Sequence, residues 1–130
     1  MPKRLLIDSD LAIEYLRGRQ EAIDYLESLE GSLLCSALTV AELCVGLRGE
    51  REQHYLEQFL LAFQVLPVSQ EVAKRGGLFR RNYGPTHGTG LVDALIGATA
   101  QLCRATLVTF NAHHYPMLND VRVPYTRQGG

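Results

Sequence analysis

The segment Arg4-Leu5-Leu6-Ile7-Asp8-Ser9-Asp10-Leu11-Ala12-Ile13 decides how the rest of the chain is read. A short apolar run ends abruptly in a carboxylate, and residues that favour a helix follow at once. Arg4 to Ile7 is therefore predicted as a buried strand. A helix is predicted to follow as far as about Arg17, with Ser9 or Asp10 as its N-cap.

The same alternation continues downstream. A helix is predicted over Glu21 to Leu29 from apolar Ala22, Ile23, Leu26 and Leu29, and Gly31 breaks it. Leu33 to Cys35 reads as a strand and Ser36 to Leu47 as a helix. Arg51 to Phe63 is amphipathic, with Leu56, Phe59, Leu60 and Phe63 on one face. Val65 to Val68 is a strand that Pro67 keeps short or near a sheet edge. Ser69 is expected to cap a helix reaching about Tyr83, before a loop over Gly84 to Gly90. Leu91 to Cys103 is predicted helical, Thr106 to Thr109 extended, and Val121 to Val123 a last strand. The tail from Tyr125 is expected to be loose. Strands alternating with helices imply an α/β sandwich around a mostly parallel sheet, in one domain over residues 1–130.

Composition narrows the class. With 130 residues, 46% hydrophobic and 21% charged, the chain has enough apolar material for a core without cross-links. A net charge of −1 lacks the basic excess of most nucleic-acid binders, so any phosphate contacts must be local. Cys35, Cys44 and Cys103 each sit in an apolar run and no CxxC occurs, which reads as buried, reduced thiols and a cytoplasmic location. The N-terminus charges too early for a signal peptide, and no apolar stretch is long enough to span a membrane.

Three carboxylates stand alone in apolar surroundings. Asp8 closes the first strand, Glu42 is the only charge between Leu33 and Leu47, and Asp93 is the only charge between Leu91 and Cys103. A lone carboxylate avoids apolar surroundings unless it is paired or bound to a metal. Each has a plain structural reading: a polar strand end for Asp8, a capping box of Thr39 and Glu42, a favourable first-turn dipole position for Asp93, and an N-cap for Asp10. Their coincidence favours convergence on a hard divalent cation, Mg2+ or Mn2+, beyond the carboxyl ends of the strands.

Four segments in order resemble the PIN-domain nucleases. LLIDSD is similar to the opening strand and acid, and SALTVAELCVGL resembles the Ser-x-x-Thr-x-x-Glu-Leu motif. LVDALIGATA resembles the third acidic motif, and LVTFNAHHYP the closing Thr-x-Asn motif through Thr109, Asn111, His114 and Tyr115. The resemblance implies a three-layer α/β/α sandwich with a short sheet of four or five strands. It also implies a Mg2+- or Mn2+-dependent endoribonuclease, of the VapC-like toxin type, cutting RNA and held inactive by an antitoxin, and a homodimer. Asp8, Glu42 and Asp93 map to the catalytic and metal-binding acids, with Ser9, Thr39, Thr109, Asn111 and His114 in support. The closing motif of such nucleases often carries a fourth acid, where this chain has Asn111 and His114. Asp10 or Asn111 is then a further candidate ligand.

Lys74, Arg75, Arg80 and Arg81 share one predicted helix; a solvated face is the favoured explanation, but they are the best local candidates for RNA phosphates. His113 and His114 have no Cys or His partners at zinc spacing. Other classes remain open at this level. Asp8-Ser9-Asp10 matches the Asp-x-Asp of a haloacid-dehalogenase-like phosphatase, but Leu11 and Ala12 replace the Gly and Thr expected next. A receiver domain lacks its acidic pair and late Lys here. A housekeeping PIN nuclease, or a PIN-like scaffold that binds RNA or protein without cutting, is also compatible.

Overall fold

β1 (Arg4–Ile7) occupies the middle of a five-stranded, wholly parallel sheet in a computed structural model that describes residues 3–127. The other strands are β2 (Ser32–Ser36), β3 (Gln64–Leu66), β4 (Thr106–Val108) and β5 (Val121–Arg122), in spatial order β3-β2-β1-β4-β5. The helices are α1 (Ser9–Leu16), α2 (Gln20–Ser28), α3 (Ala37–Val45), α4 (Glu50–Leu60), α5 (Gln70–His87) and α6 (Leu91–Leu102).

Strand alternation divides the core into two layers. Leu6, Leu34 and Leu107 face Ile96, Ala100 and Tyr115 on one side of the sheet. Leu5, Ile7 and Val108 face Leu11, Ala22 and Leu26 on the other. A smaller cluster of Ala12, Leu43 and Leu56 joins α1, α3 and α4. The result is the three-layer sandwich expected from the sequence, and β3 is an edge strand that ends at Leu66, before Pro67, rather than reaching Val68.

Strand order sets the place of the site. After β1 the chain builds outward through β2 and β3, then returns to lay β4 against the free side of β1. The crossovers therefore diverge between β1 and β4, and a crevice opens at the carboxyl ends of those two strands. Asp8 follows β1 and Thr109 follows β4.

Several local expectations need correction. The side chain that caps α1 is Asp8, accepting the Ser9 N–H at 2.8 Å, so neither Ser9 nor Asp10 is the N-cap. Ser36 caps α3 through the Leu38 N–H at 3.0 Å, so Thr39 and Glu42 do not form a capping box. α5 does not stop at Tyr83 but runs through Pro85 to His87. Pro85 lies in the last turn, where its missing N–H costs one bond, and Gly88 ends the helix in a left-handed conformation with its N–H on Gly84 O. Gly76 lets α5 approach α6 closely, since a Cβ there would meet Leu95 Cδ2 at 2.6 Å. The tail is held at least to Arg127. Tyr125 packs edge-on against Tyr25 and Phe110, and Arg127 lies over the Phe110 ring at 4.2 Å. Residues 128–130, also expected to be loose, lie outside the described residues.

Candidate active site

Asp8 is buried at the head of β1, with 5% of its surface exposed. One carboxyl oxygen accepts the Ser9 N–H, and the other accepts the Thr109 hydroxyl at 2.8 Å and the Tyr115 hydroxyl at 3.1 Å. The Tyr115 hydroxyl also stands 3.3 Å from Asp93 Oδ1. With only one proton to give, it cannot satisfy both carboxylates at once. Asp8 and Asp93 are therefore brought to one point from β1 and α6, with a single phenol between them.

Asp93 lies in the first turn of α6, half-buried, and its second oxygen is 3.0 Å from His114 Nδ1. His114 ends the 3-10 turn Ala112–His114, and its carbonyl accepts the buried Thr89 hydroxyl at 2.6 Å. Glu42 comes from α3. Its carboxylate accepts the Ser9 hydroxyl at 2.5 Å, and that hydroxyl also neighbours the buried Thr39 hydroxyl at 3.3 Å. Glu42 is exposed, so the apolar residues around it in sequence do not bury it: Ala41, Cys44 and Val45 beside it are exposed as well. Cys44 thus departs from the expected buried thiol, while Cys35 is buried and Cys103 partly so.

Asp10 has a different task from the cap expected of it. Its Oδ1 accepts the Leu11 N–H at 2.7 Å, and its Oδ2 accepts the Phe110 N–H at 2.9 Å and the Asn111 side-chain amide at 3.2 Å. It ties the start of α1 to the loop after β4. Asp10→Ala should therefore lower the unfolding free energy by about 1–3 kcal/mol, because the part-buried Phe110 and Asn111 donors lose their acceptor. Urea denaturation checks this, and an unchanged midpoint would show that the loop stands without Asp10.

Negative charge dominates the crevice. Burial pushes the Asp8 carboxyl up to about 7 from 3.8, and the neighbouring Asp10 and Asp93 charges add to the rise against the Thr109 and Ser9 hydrogen bonds. Burial also raises Asp10, opposed by the Phe110 and Leu11 N–H groups. The Tyr115 hydroxyl is driven far above its ordinary range by burial and by the Asp8 and Asp93 charges, so it remains a proton donor. Among the described residues, no Lys or Arg forms an ion pair with Asp8, Asp10, Glu42 or Asp93. Nor, among them, do three acidic, His or Cys side chains close into a finished ligand cage, since the Thr109 and Tyr115 hydroxyls stand between the carboxylates. The donor set is hard oxygen with one imidazole, and its surplus of negative charge fits a small divalent cation.

The family model that describes the PIN domain matches residues 5–117. The chain belongs to the PIN domain family. It is 37% identical to ribonuclease VapC10 of Mycobacterium tuberculosis over 128 residues, covering 96% of each chain. It is 38% identical to ribonuclease VapC19 of the same organism over 124 residues, covering 92% of this chain and 98% of that one. Among solved structures, a toxin-antitoxin complex from Klebsiella pneumoniae superposes with a TM-score of 0.81 at 31% identity, covering 93% of this chain and 98% of that chain. Family membership removes the phosphatase and receiver alternatives.

Within this PIN domain the expected residues divide. Asp8, Asp93, Thr109 and His114 are joined by side-chain hydrogen bonds that pass through Tyr115, and Asn111 joins them through Asp10. Ser9, Thr39 and Glu42 form a second set, linked to Asp8 through the Ser9 backbone N–H. The basic residues of α5 have different surroundings. Arg75 donates to Gln101, which lies about 12 Å along α6 from Asp93 at the usual helical rise, and Lys74 is its neighbour. Arg80 and Arg81 are nearer the Gly88–Gly90 connection that leads to Asp93. Two features have no clear signal in the sequence. Tyr115 enters it only as part of the closing motif, and a phenol cannot be told from a core ring by periodicity. Arg17 and Arg48 line a groove of about 660 Å³ beside Glu42, together with Ile13, Leu43 and Tyr55, from segments that share no common pattern in sequence.

Proposed function

We propose that this chain is a Mg2+- or Mn2+-dependent endoribonuclease and the toxin of a toxin–antitoxin pair. The observation that carries the reading is the buried Asp8 at the β1–β4 crevice, joined to Asp93 through one phenol and flanked by Glu42, with no Lys or Arg among the described residues paired to it. The ribonuclease relatives and the 31%-identical toxin-antitoxin complex support the same reading.

Asp8 and Asp93 would hold the ion, with Glu42 close by; Asn111 is a weaker neutral oxygen donor near the same site. When bound, the ion offsets charge on the scissile phosphate and lowers the pKa of an attacking water. The rest is the work of side chains. Thr109 and Tyr115 donate to Asp8 and fix its rotamer, while Ser9 and Thr39 orient Glu42. Glu42, exposed and tied to the Asp8 segment through the Ser9 hydroxyl, would accept a proton from water approaching the phosphorus. Arg80 and Arg81 are the nearer cations for flanking phosphates. Asp10, with both oxygens occupied, serves as an anchor for the loop that carries Asn111 and His114.

An antitoxin partner finds an apolar seat in the groove beside Glu42, where Arg17 and Arg48 offer charge to an acidic segment and Glu42 accepts a basic side chain. Exposed Leu78, Leu91 and Val92 on α5 and α6 give a second copy an apolar surface for a homodimer. Free thiols at Cys35, Cys44 and Cys103, together with an RNA substrate, support a cytoplasmic location. Among the described residues no helix is long and apolar enough to cross a membrane. Induced expression in a bacterium should arrest growth and leave fragmented RNA, whereas Asp93→Asn should do neither at equal protein level. Harmless expression of soluble protein that cuts RNA would mean a housekeeping nuclease, and soluble protein that does not cut would mean a binding scaffold.

A further inference from the structure

His114 lies in the closing motif, in the region where such nucleases often carry a fourth acid, and its ring nitrogen Nδ1 lies 3.0 Å from Asp93 Oδ2. The other Asp93 oxygen shares the Tyr115 hydroxyl with Asp8, so the imidazole stands on the edge of the same cluster. The position is built rather than incidental. The Thr89 hydroxyl holds the His114 carbonyl at 2.6 Å, and the His114 N–H closes the 3-10 turn on Asn111 O at 2.9 Å.

We infer that His114 is a nitrogen ligand of the divalent ion held by Asp8 and Asp93, and that it biases this site toward Mn2+ over Mg2+. The inference rests on the metal-site reading above. Two ligands on adjacent corners of an octahedron, each about 2.1 Å from the ion, lie about 3 Å apart, which is the spacing of Nδ1 and Oδ2. Mg2+ holds oxygen donors and water and gains little from imidazole. Mn2+ too prefers oxygen and stands lowest in the transition-metal series, but it is larger and more polarisable and takes one nitrogen donor at less cost. An acid at this position would favour Mg2+ by adding charge and oxygen. The imidazole gives up that charge and supplies a donor that Mn2+ uses better. The rival role for the same contact is a hydrogen bond from Nδ1–H that orients Asp93 without touching the ion.

Pulsed EPR of Mn2+ bound to the untagged protein separates these roles without any catalytic readout. Wild type should show 14N modulation from a directly bound imidazole. His114→Asp should still bind Mn2+ but lose that signal, and His113→Asn should keep it. In competition titrations, Mg2+ should displace Mn2+ at least about tenfold more easily from His114→Asp than from wild type. Mn2+ bound to wild type without nitrogen coupling, or an equal Mn2+/Mg2+ preference in the two proteins, overturns the inference while leaving the metal site in place. No Mn2+ binding by wild type overturns the metal site and the inference together. The wild-type spectrum keeps the test decisive should His114→Asp fail to fold.

Discussion

Asp8→Asn is expected to reduce RNA cleavage by about a thousandfold or more, and yet to make the metal-free protein more stable at pH 8. The two effects have one origin. Asp8 is buried beside Asp10 and Asp93, which raises its carboxyl to about 7 in the folded protein against an ordinary 3.8. The stability associated with its neutral form is fully present below about pH 4. It is lost as pH rises toward 7, because the unfolded chain ionises first and the folded chain must then bury a charge. Above pH 7 the metal-free fold carries the whole penalty, on the order of 2–4 kcal/mol for a shift of this size. An amide removes that charge, keeps an oxygen for the Ser9 N–H, and lets the Thr109 and Tyr115 hydroxyls accept instead of donate. Activity moves the other way because the anionic ligand is gone, and groups that act as one cluster are lost together. Urea unfolding at pH 5 and pH 8 in chelator checks the sign. The gain should appear at pH 8 and shrink toward pH 5, and a loss of stability at pH 8 would mean that Asp8 is held by more than its neighbours.

The second large effect is the response to metal. Mn2+ at a hundred times its Kd should stabilise the fold by about 2.7 kcal/mol, since it binds the assembled carboxylates and not the unfolded chain. For a domain of this size that corresponds to a rise in Tm of roughly 8–12 °C. The rise should be largest above pH 7, where Asp8 is ionised, and should fade below pH 6 as protons compete for the same oxygens. Asp93→Asn should remove most of it. Differential scanning calorimetry across pH 5.5 to 8.5 reads all three features, and a shift independent of pH would place the ion away from Asp8.

Much of this site is legible in the sequence because its acids interrupt strong apolar patterns. Asp8 stands where a buried strand ends, and strand order then carries Thr109 to it from β4, a meeting across the sheet that no local spacing reveals. Glu42 stands out in the sequence for a partly mistaken reason. Its apolar neighbours suggest burial, but α3 presents Ala41, Cys44 and Val45 to solvent, so an exposed apolar face reads as core. Asp10 reads as a cap, and the structure corrects this because N-capping depends on which residue first leaves extended geometry. Asp8 takes the cap, and Asp10, two residues further in, reaches a backbone N–H 100 residues away. The length of α5 is hidden for a similar reason. Gly84 and Pro85 punctuate a sequence, but in the last turn of a helix packed on α6 they cost little. Tyr115 can be placed by its motif, yet only the fold shows its hydroxyl between two carboxylates.

The central claim is that RNA is cut by a divalent ion held on the Asp8 and Asp93 carboxylates. Its most direct test is cleavage of an end-labelled RNA by purified protein that has been stripped with chelator, dialysed, and then supplied with Mn2+. The stripped wild type should be silent and should recover on adding Mn2+, while Asp93→Asn should stay silent at every Mn2+ concentration. Cleavage that persists in excess chelator, or an Asp93→Asn protein that cuts at the wild-type rate, would contradict the account.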